Sequence, residues 1–237
     1  VMTGASSGIG LALTAQLLQQ GARVLGMARR VQGMQALQQS YPQQLFVQPG
    51  DVTRSADLEV LRQRAVALGG VDYLVACAGN EELAGSHDPA EFERQWAVNG
   101  AGALNTLAAL RGALSSNSSV VFLGSFLSQA NLAGLAAQGA VKAALATHVR
   151  ALAKEFAVLG VRINLVSPGP TATPLWDGLG LPESELEQLA DSLGQRLLPG
   201  HFVEAAAVAR VIAFQLSAGA RGVYGQDWVV DNGYSLT

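Results

Sequence analysis

Short apolar runs alternate with helical stretches along the whole 237-residue chain, and this alternation restricts the fold more than any other feature. Strands are predicted at Val1–Thr3, Arg23–Ala28, Leu45–Pro49, Val71–Ala76, Ser119–Gly124, Val161–Val166 and Asp227–Val230. Between them, apolar residues recur three and four positions apart, the helical period. One such face carries Phe92, Trp96, Ala103, Leu107 and Leu110; another carries Val141, Leu145, Val149, Leu152 and Phe156. Strand and helix in alternation imply right-handed crossovers and a parallel sheet covered on both faces. The expectation is a doubly wound α/β domain of about seven strands, a Rossmann fold spanning residues 1–237. Hydrophobic residues make up 49% of the chain and charged residues 14%, enough apolar material for one core. No repeat, low-complexity tract or linker divides it. The one irregular stretch, Pro168 to Gly200 with Leu175, Trp176, Leu179 and Leu181, reads either as a substrate lid over about 170–200 or as a plain surface helix and loop.

The formal charge of −3 gives no electrostatic reason to expect nucleic acid or anionic lipid as a partner. No apolar run approaches the eighteen or so residues of a membrane span. Cys77 stands alone, so an intrachain disulfide is excluded and a reducing, cytoplasmic setting is the simplest expectation. His87, His148 and His201 lack ligand spacing, so no metal site is expected. The chain starts inside a strand without an initiator Met, and further residues upstream are expected.

The first strand runs into Thr3-Gly4-Ala5-Ser6-Ser7-Gly8-Ile9-Gly10 and then a helix. Glycines at such a turn let backbone approach a pyrophosphate, and the helix N-terminus offers free N–H groups and partial positive charge. The position, at the first strand-to-helix turn, points to a nicotinamide dinucleotide. An NAD site wants a carboxylate about 20 residues on, for the ribose 2′-hydroxyl. Here the second strand ends at Ala28 and is followed by Arg29 and Arg30. Guanidinium groups suit a 2′-phosphate, so NADP is expected over NAD, with a solvated turn the bland alternative.

These residues resemble the short-chain dehydrogenase/reductase family, and the match runs the length of the chain. Gly4, Gly8 and Gly10, with Ser6, Ser7 and Ile9 among them, match its phosphate loop. Asp51-Val52 resembles the pair that contacts adenine. Ala78-Gly79 is the second half of an Asn-Asn-Ala-Gly motif whose asparagines are here Ala76 and Cys77. Asn99 and Ser125 match members of the catalytic tetrad. Pro168-Gly169-Pro170-Thr171-Ala172-Thr173 resembles the segment that holds the nicotinamide carboxamide, and Tyr224–Gly233 the last strand. Lys142, in Gly139-Ala140-Val141-Lys142, matches the active-site lysine, whose implied contact is the nicotinamide ribose. By resemblance the chain is also expected to act on a small molecule as a homodimer or homotetramer.

The departure is at the centre. The family places Tyr four residues before the lysine and Ser thirteen before that Tyr; counting back gives Gln138 and then Ser125. Leu135 does not supply the wider-spaced tyrosine of the enoyl-reductase branch. A tyrosine beside Lys⁺ can protonate a developing alkoxide because the charge lowers its pKa from about 10. A glutamine amide can donate a hydrogen bond but cannot release the proton. General acid catalysis contributes roughly 10²–10⁴-fold, or about 3–5.5 kcal/mol. The leading expectation is therefore an NADP(H)-dependent carbonyl or alcohol oxidoreductase with impaired or unconventional proton transfer, in which Gln138→Tyr would raise the rate. The alternatives are a catalytically silent NADP-binding partner protein and a non-redox isomerase, lyase or cyclase using Ser125.

Overall fold

The computed structural model describes every residue except Ser86 and Asn131. In chain order its elements are β1 (Met2–Thr3), α1 (Gly8–Gln19), β2 (Val24–Ala28), α2 (Gln35–Ser40), β3 (Leu45–Pro49), α3 (Ser55–Ala67), β4 (Val71–Ala76), α4 (Pro89–Gln95), α5 (Ala103–Leu110), β5 (Leu114–Leu123), α6 (Ala136–Ala157), β6 (Arg162–Pro168), β7 (Thr171–Ala172), α7 (Glu183–Gly194), β8 (Val203–Glu204), α8 (Ala205–Leu216) and β9 (Asp227–Val230). Seven strands form one parallel sheet in the order β3-β2-β1-β4-β5-β6-β9. β7 and β8 pair separately. The strand order reverses between β1 and β4, which opens a crevice beyond the carboxyl ends of the strands.

Central strands are buried on both faces, which is why β2 reads as an apolar run without alternation, while β6 is fully buried with Arg162, Asn164 and Ser167 among its apolar residues. On one face, Leu58 and Leu61 of α3, Leu107 and Leu110 of α5, and Leu145, Val149 and Phe156 of α6 pack against Leu74, Val120 and Ile163. On the other, Leu13 and Leu18 of α1 and Ile212 and Leu216 of α8 cover Met2, Val75 and Val121. Arg162 ties the lower end of β6 to α8. Its guanidinium donates to the carbonyls of Gln215, Leu216, Ser217 and Ala220 at 2.8–3.2 Å, satisfying groups that a helix C-terminus leaves unpaired. A third cluster joins Phe126, Leu127 and Leu135 to Leu179, Leu193, Leu197 and Tyr234, so residues 170–200 bring their own apolar underside, including the helix α7.

Three details depart from the sequence pattern. β5 begins at Leu114 rather than Ser119, because Leu114 pairs with Val71 and the polar run from Ser115 to Ser118 bulges out, with a left-handed Asn117 (φ 65°), before Ser119 pairs with Tyr73. β6 extends to Pro168, held by its pairing with Val230. Phe92, expected on a core face, is 42% exposed. Between α4 and α5 the helix widens into a π turn over Trp96–Gly102, which rotates the two halves out of a common face. In α4 the buried residues are Glu91 and Gln95.

Candidate active site

A cavity of about 640 Å³ lies at the crevice, and every site residue named from the sequence lines it. Its phosphate end is built from the turn between β1 and α1. Gly4 has φ +68°, and a Cβ there would lie 2.7 Å from the Cys77 carbonyl oxygen. Gly8 has φ +51° and faces Thr173. Gly10 carries the helix against the turn so closely that a Cβ would overlap the Gly4 carbonyl. α1 opens with no acidic residue in its first turn, and the Ser7 hydroxyl makes no cap, so its N–H groups are free for an anion. This cradle, with no room for side chains, fits a dinucleotide pyrophosphate.

At the adenosine end, Arg29 and Arg30 are exposed and flank Asp51 and Val52. Burial acts to raise the Asp51 pKa, but hydrogen bonds from the Thr53 backbone N–H and hydroxyl (2.9 and 2.8 Å) and the Arg29 and Arg54 charges outweigh it. The carboxylate is held below its usual range.

At the opposite end, β5 stops at Leu123 and Ser125 caps the short turn that follows. Its Oγ accepts from the Leu127 N–H at 3.2 Å, leaving the hydroxyl proton free to donate. α6 places Gln138 and Lys142 one turn apart on a buried face, 4% and 5% exposed. Lys142 Nζ donates to the Leu123 carbonyl at 2.8 Å. Burial drives its pKa down to about 8, against the opposing pull of Cys77 and Glu81. Cys77, also buried, is pushed up to about 11 and stays a thiol. Gln138 Oε1 is buried without a partner.

Asn99 sits within the π turn, and its side chain is fully engaged. Nδ2 donates to Gln95 Oε1 at 2.6 Å and to the Asn80 carbonyl and Oδ1 at 3.0 Å, while Oδ1 accepts from the Asn80 N–H at 3.3 Å. A Cβ on Gly79 would come within 2.8 Å of that Oδ1. Asn99 thus pins the loop after β4. That loop carries a residue the sequence did not single out: Glu81, half-buried and lining the same cavity as Gln138. Burial raises its pKa more than the Gln138 amide and the Lys142 charge lower it. In Asn80-Glu81-Glu82 a carboxylate reads as solvated surface; only its distance of two residues from Gly79 hinted otherwise.

The remaining wall comes from the stretch after β6. Thr171 Oγ1 donates to the Gly169 carbonyl at 2.8 Å, and Trp176 Nε1 to the Thr171 carbonyl at 2.7 Å. Trp176 leans on Phe202 with ring centroids 5.1 Å apart. Leu127, Leu132, Leu135 and Trp176 make this end of the cavity apolar.

Comparison with known proteins agrees with this architecture. A family model described as enoyl-(acyl carrier protein) reductase matches residues 4–235. The chain is 32% identical to the vibriobactin-specific 2,3-dihydro-2,3-dihydroxybenzoate dehydrogenase of Vibrio cholerae, over all of this chain and 95% of that protein. It is 34% identical to the cis-4-hydroxycyclohexanecarboxylate dehydrogenase of Sinomonas cyclohexanicum, over 99% of this chain and 95% of that one. The crystal structure of a short-chain dehydrogenase/reductase (glucose/ribitol dehydrogenase) from Brucella melitensis superposes with a TM-score of 0.90 at 28% identity, covering 98% of this chain and 94% of its own.

Proposed function

This chain belongs to the short-chain dehydrogenase/reductase family, and from that premise we propose that it is an NADP(H)-dependent oxidoreductase that interconverts a carbonyl and an alcohol without a tyrosine acid. The observation that carries the reading is the gathering of a side-chain-free phosphate cradle, two exposed guanidinium groups, Ser125 and Lys142 around one cavity. The cofactor, when bound, supplies or takes up the hydride. Gly4, Ser6, Ser7, Gly8, Ile9 and Gly10 hold its pyrophosphate, and Arg29 and Arg30 its 2′-phosphate. Asp51 and Val52 meet the adenine, Ala78 and Gly79 floor the ribose, and Pro168, Gly169, Thr171 and Thr173 hold the carboxamide. Lys142 binds the nicotinamide ribose through its ammonium. Ser125 and the Gln138 amide donate to the substrate oxygen and lower the cost of charge developing there. Asn99 acts through the loop it pins.

The substrate end is apolar, and among the described residues its only nearby cation is Lys142. This favours a neutral carbonyl compound over an acid. Residues 170–200 serve as the lid over it. Exposed Phe92 on α4, and Phe214 stacked on Trp228 at 5.5 Å beside β9, offer apolar surface for a homodimer or homotetramer.

The test is fluorescence titration with NADPH and NADH, followed by NADPH oxidation against a panel of neutral ketones and aldehydes. The expected result is at least about tenfold tighter binding of NADPH, since a charged hydrogen bond is worth about 1.5–3 kcal/mol, and steady turnover with some of the panel. Equal affinity for the two coenzymes would remove the NADP assignment. Tight binding with no turnover would leave a silent binding protein.

A further inference from the structure

The position that should carry the proton donor is a glutamine, yet a carboxyl stands beside it. Glu81 extends from the loop after β4 into the cavity that Ser125, Gln138 and Lys142 line. Three contacts hold that loop in place. Asn99 grips Asn80 on both backbone and side chain. The Ala84 N–H donates to the Gly134 carbonyl at 3.0 Å. From across the cavity, Gly178 presses on the Glu81 carbonyl so closely that a Cβ there would lie 3.1 Å away. The Gln138 side chain lies on the same cavity wall, near enough that its amide dipole favours the Glu81 carboxylate. Its Oε1 is a buried acceptor without a partner, so the site holds a hydrogen-bonding group that a bound hydroxyl or acid proton can satisfy.

Resting on the oxidoreductase reading above, we propose that Glu81 is the catalytic acid of this site, in place of the phenol that position 138 lacks. In the reductive direction the carbonyl carbon gains hydride from bound NADPH, which becomes NADP⁺. The C=O π pair moves to oxygen, the Glu81 O–H bond breaks, and the proton joins that oxygen to give the alcohol. The carboxylate left behind is reprotonated from solvent; in the oxidative direction it takes the alcohol proton.

Other groups are less suited to the task. Cys77 is a buried thiol with a high pKa. Ser125 can relay a proton but does not ionise in the working range. The Lys142 ammonium is engaged by the Leu123 carbonyl. The charged group acting on Glu81 is Lys142 from α6; Cys77, a neutral thiol, lies near that lysine, and Asp177 lines the same cavity from the segment after β6. Glu82 turns away to Arg94, which also holds Glu91 and Asp88. Desolvation favours the acid and is the largest influence, while the Gln138 amide and the Lys142 charge favour the carboxylate.

The experiment compares wild type, Glu81→Gln, Glu81→Asp and Glu81→Gln/Gln138→Tyr. Its first readout is independent of turnover: isotope-edited infrared of glutamate carboxyls across pH. Wild type should show one carboxyl titrating above the ordinary value of about 4.3, absent in Glu81→Gln, with NADPH-induced thermal stabilisation alike in both. For reduction, wild-type kcat should fall as pH rises through that titration. Glu81→Gln should lose this limb and roughly 10²–10⁴-fold of rate. Glu81→Asp should keep the limb at a reduced rate, and the double variant should regain activity through a tyrosine beside Lys142. Wild-type rate and pH profile in Glu81→Gln, or a Glu81 carboxyl that titrates like an exposed one, would overturn the proposal while leaving the oxidoreductase reading intact. A wild type that binds NADPH but reduces nothing in the panel overturns both.

Discussion

Replacing Lys142 with methionine should make the protein more stable at neutral pH while abolishing its chemistry. The ammonium is nearly fully buried, and its pKa falls from 10.5 to about 8. At 1.36 kcal/mol per pH unit the folded chain carries a cost of about 3 kcal/mol at every pH below 8, where Lys142 is charged in both folded and unfolded states. Between pH 8 and 10.5 the unfolded chain binds the extra proton, so the cost fades as pH rises. Methionine matches the stem without the charge. It also leaves the Leu123 carbonyl unpaired, which returns about 1 kcal/mol. The net gain is about 2 kcal/mol at pH 7, or about 4–8 °C in Tm for a chain of this size. Urea unfolding followed by circular dichroism at pH 7, 9 and 10 measures it. Cys77 is coupled to Lys142, whose charge lowers its pKa, so the comparison is made in a Cys77→Ala background. The reasoning is refuted if Lys142→Met is less stable than its parent at pH 7, or if the gap stays constant from pH 7 to pH 10.

Gly10→Ala should abolish NADPH binding in a fluorescence titration, because a methyl group there overlaps the Gly4 carbonyl and forces the phosphate turn open; undiminished affinity would contradict the cradle geometry. Arg162→Met should cost about 3 kcal/mol in urea unfolding by stranding the carbonyls at and just beyond the end of α8 that it now serves. A loss below about 1 kcal/mol would mean those carbonyls find other donors.

The fold was legible because both faces of its sheet are covered. β2, β3, β4 and β9 announce themselves as apolar runs between helical periods, and β3, β4 and β9 begin and end where the pattern puts them. Misreadings came where polar residues do structural work. Ser115–Ser118 looks like a loop yet runs as strand. The helical period puts Phe92 on a core face, yet Glu91 and Gln95 are the buried residues of α4, with Gln95 accepting from Asn99 in the π turn. The cavity-lining residues were legible through glycine spacing and the Ser125–Gln138–Lys142 frame, all local in sequence. Glu81 was not, since its meaning depends on α6 arriving beside it from some sixty residues later, and no local spacing encodes that encounter.

The wide turn at Trp96–Gly102 makes the loop after β4 hostage to the length of a helix. Residues advance about 100° apiece around a helix axis, so losing or gaining one residue between Pro89 and Asn99 would swing the Asn99 amide away from Asn80 and unseat the segment bearing Glu81. The exposed side chains of α4, such as Glu93, are free to change identity under drift. Their number is not, and descendants of this chain should vary in the spelling of that helix but not in its count.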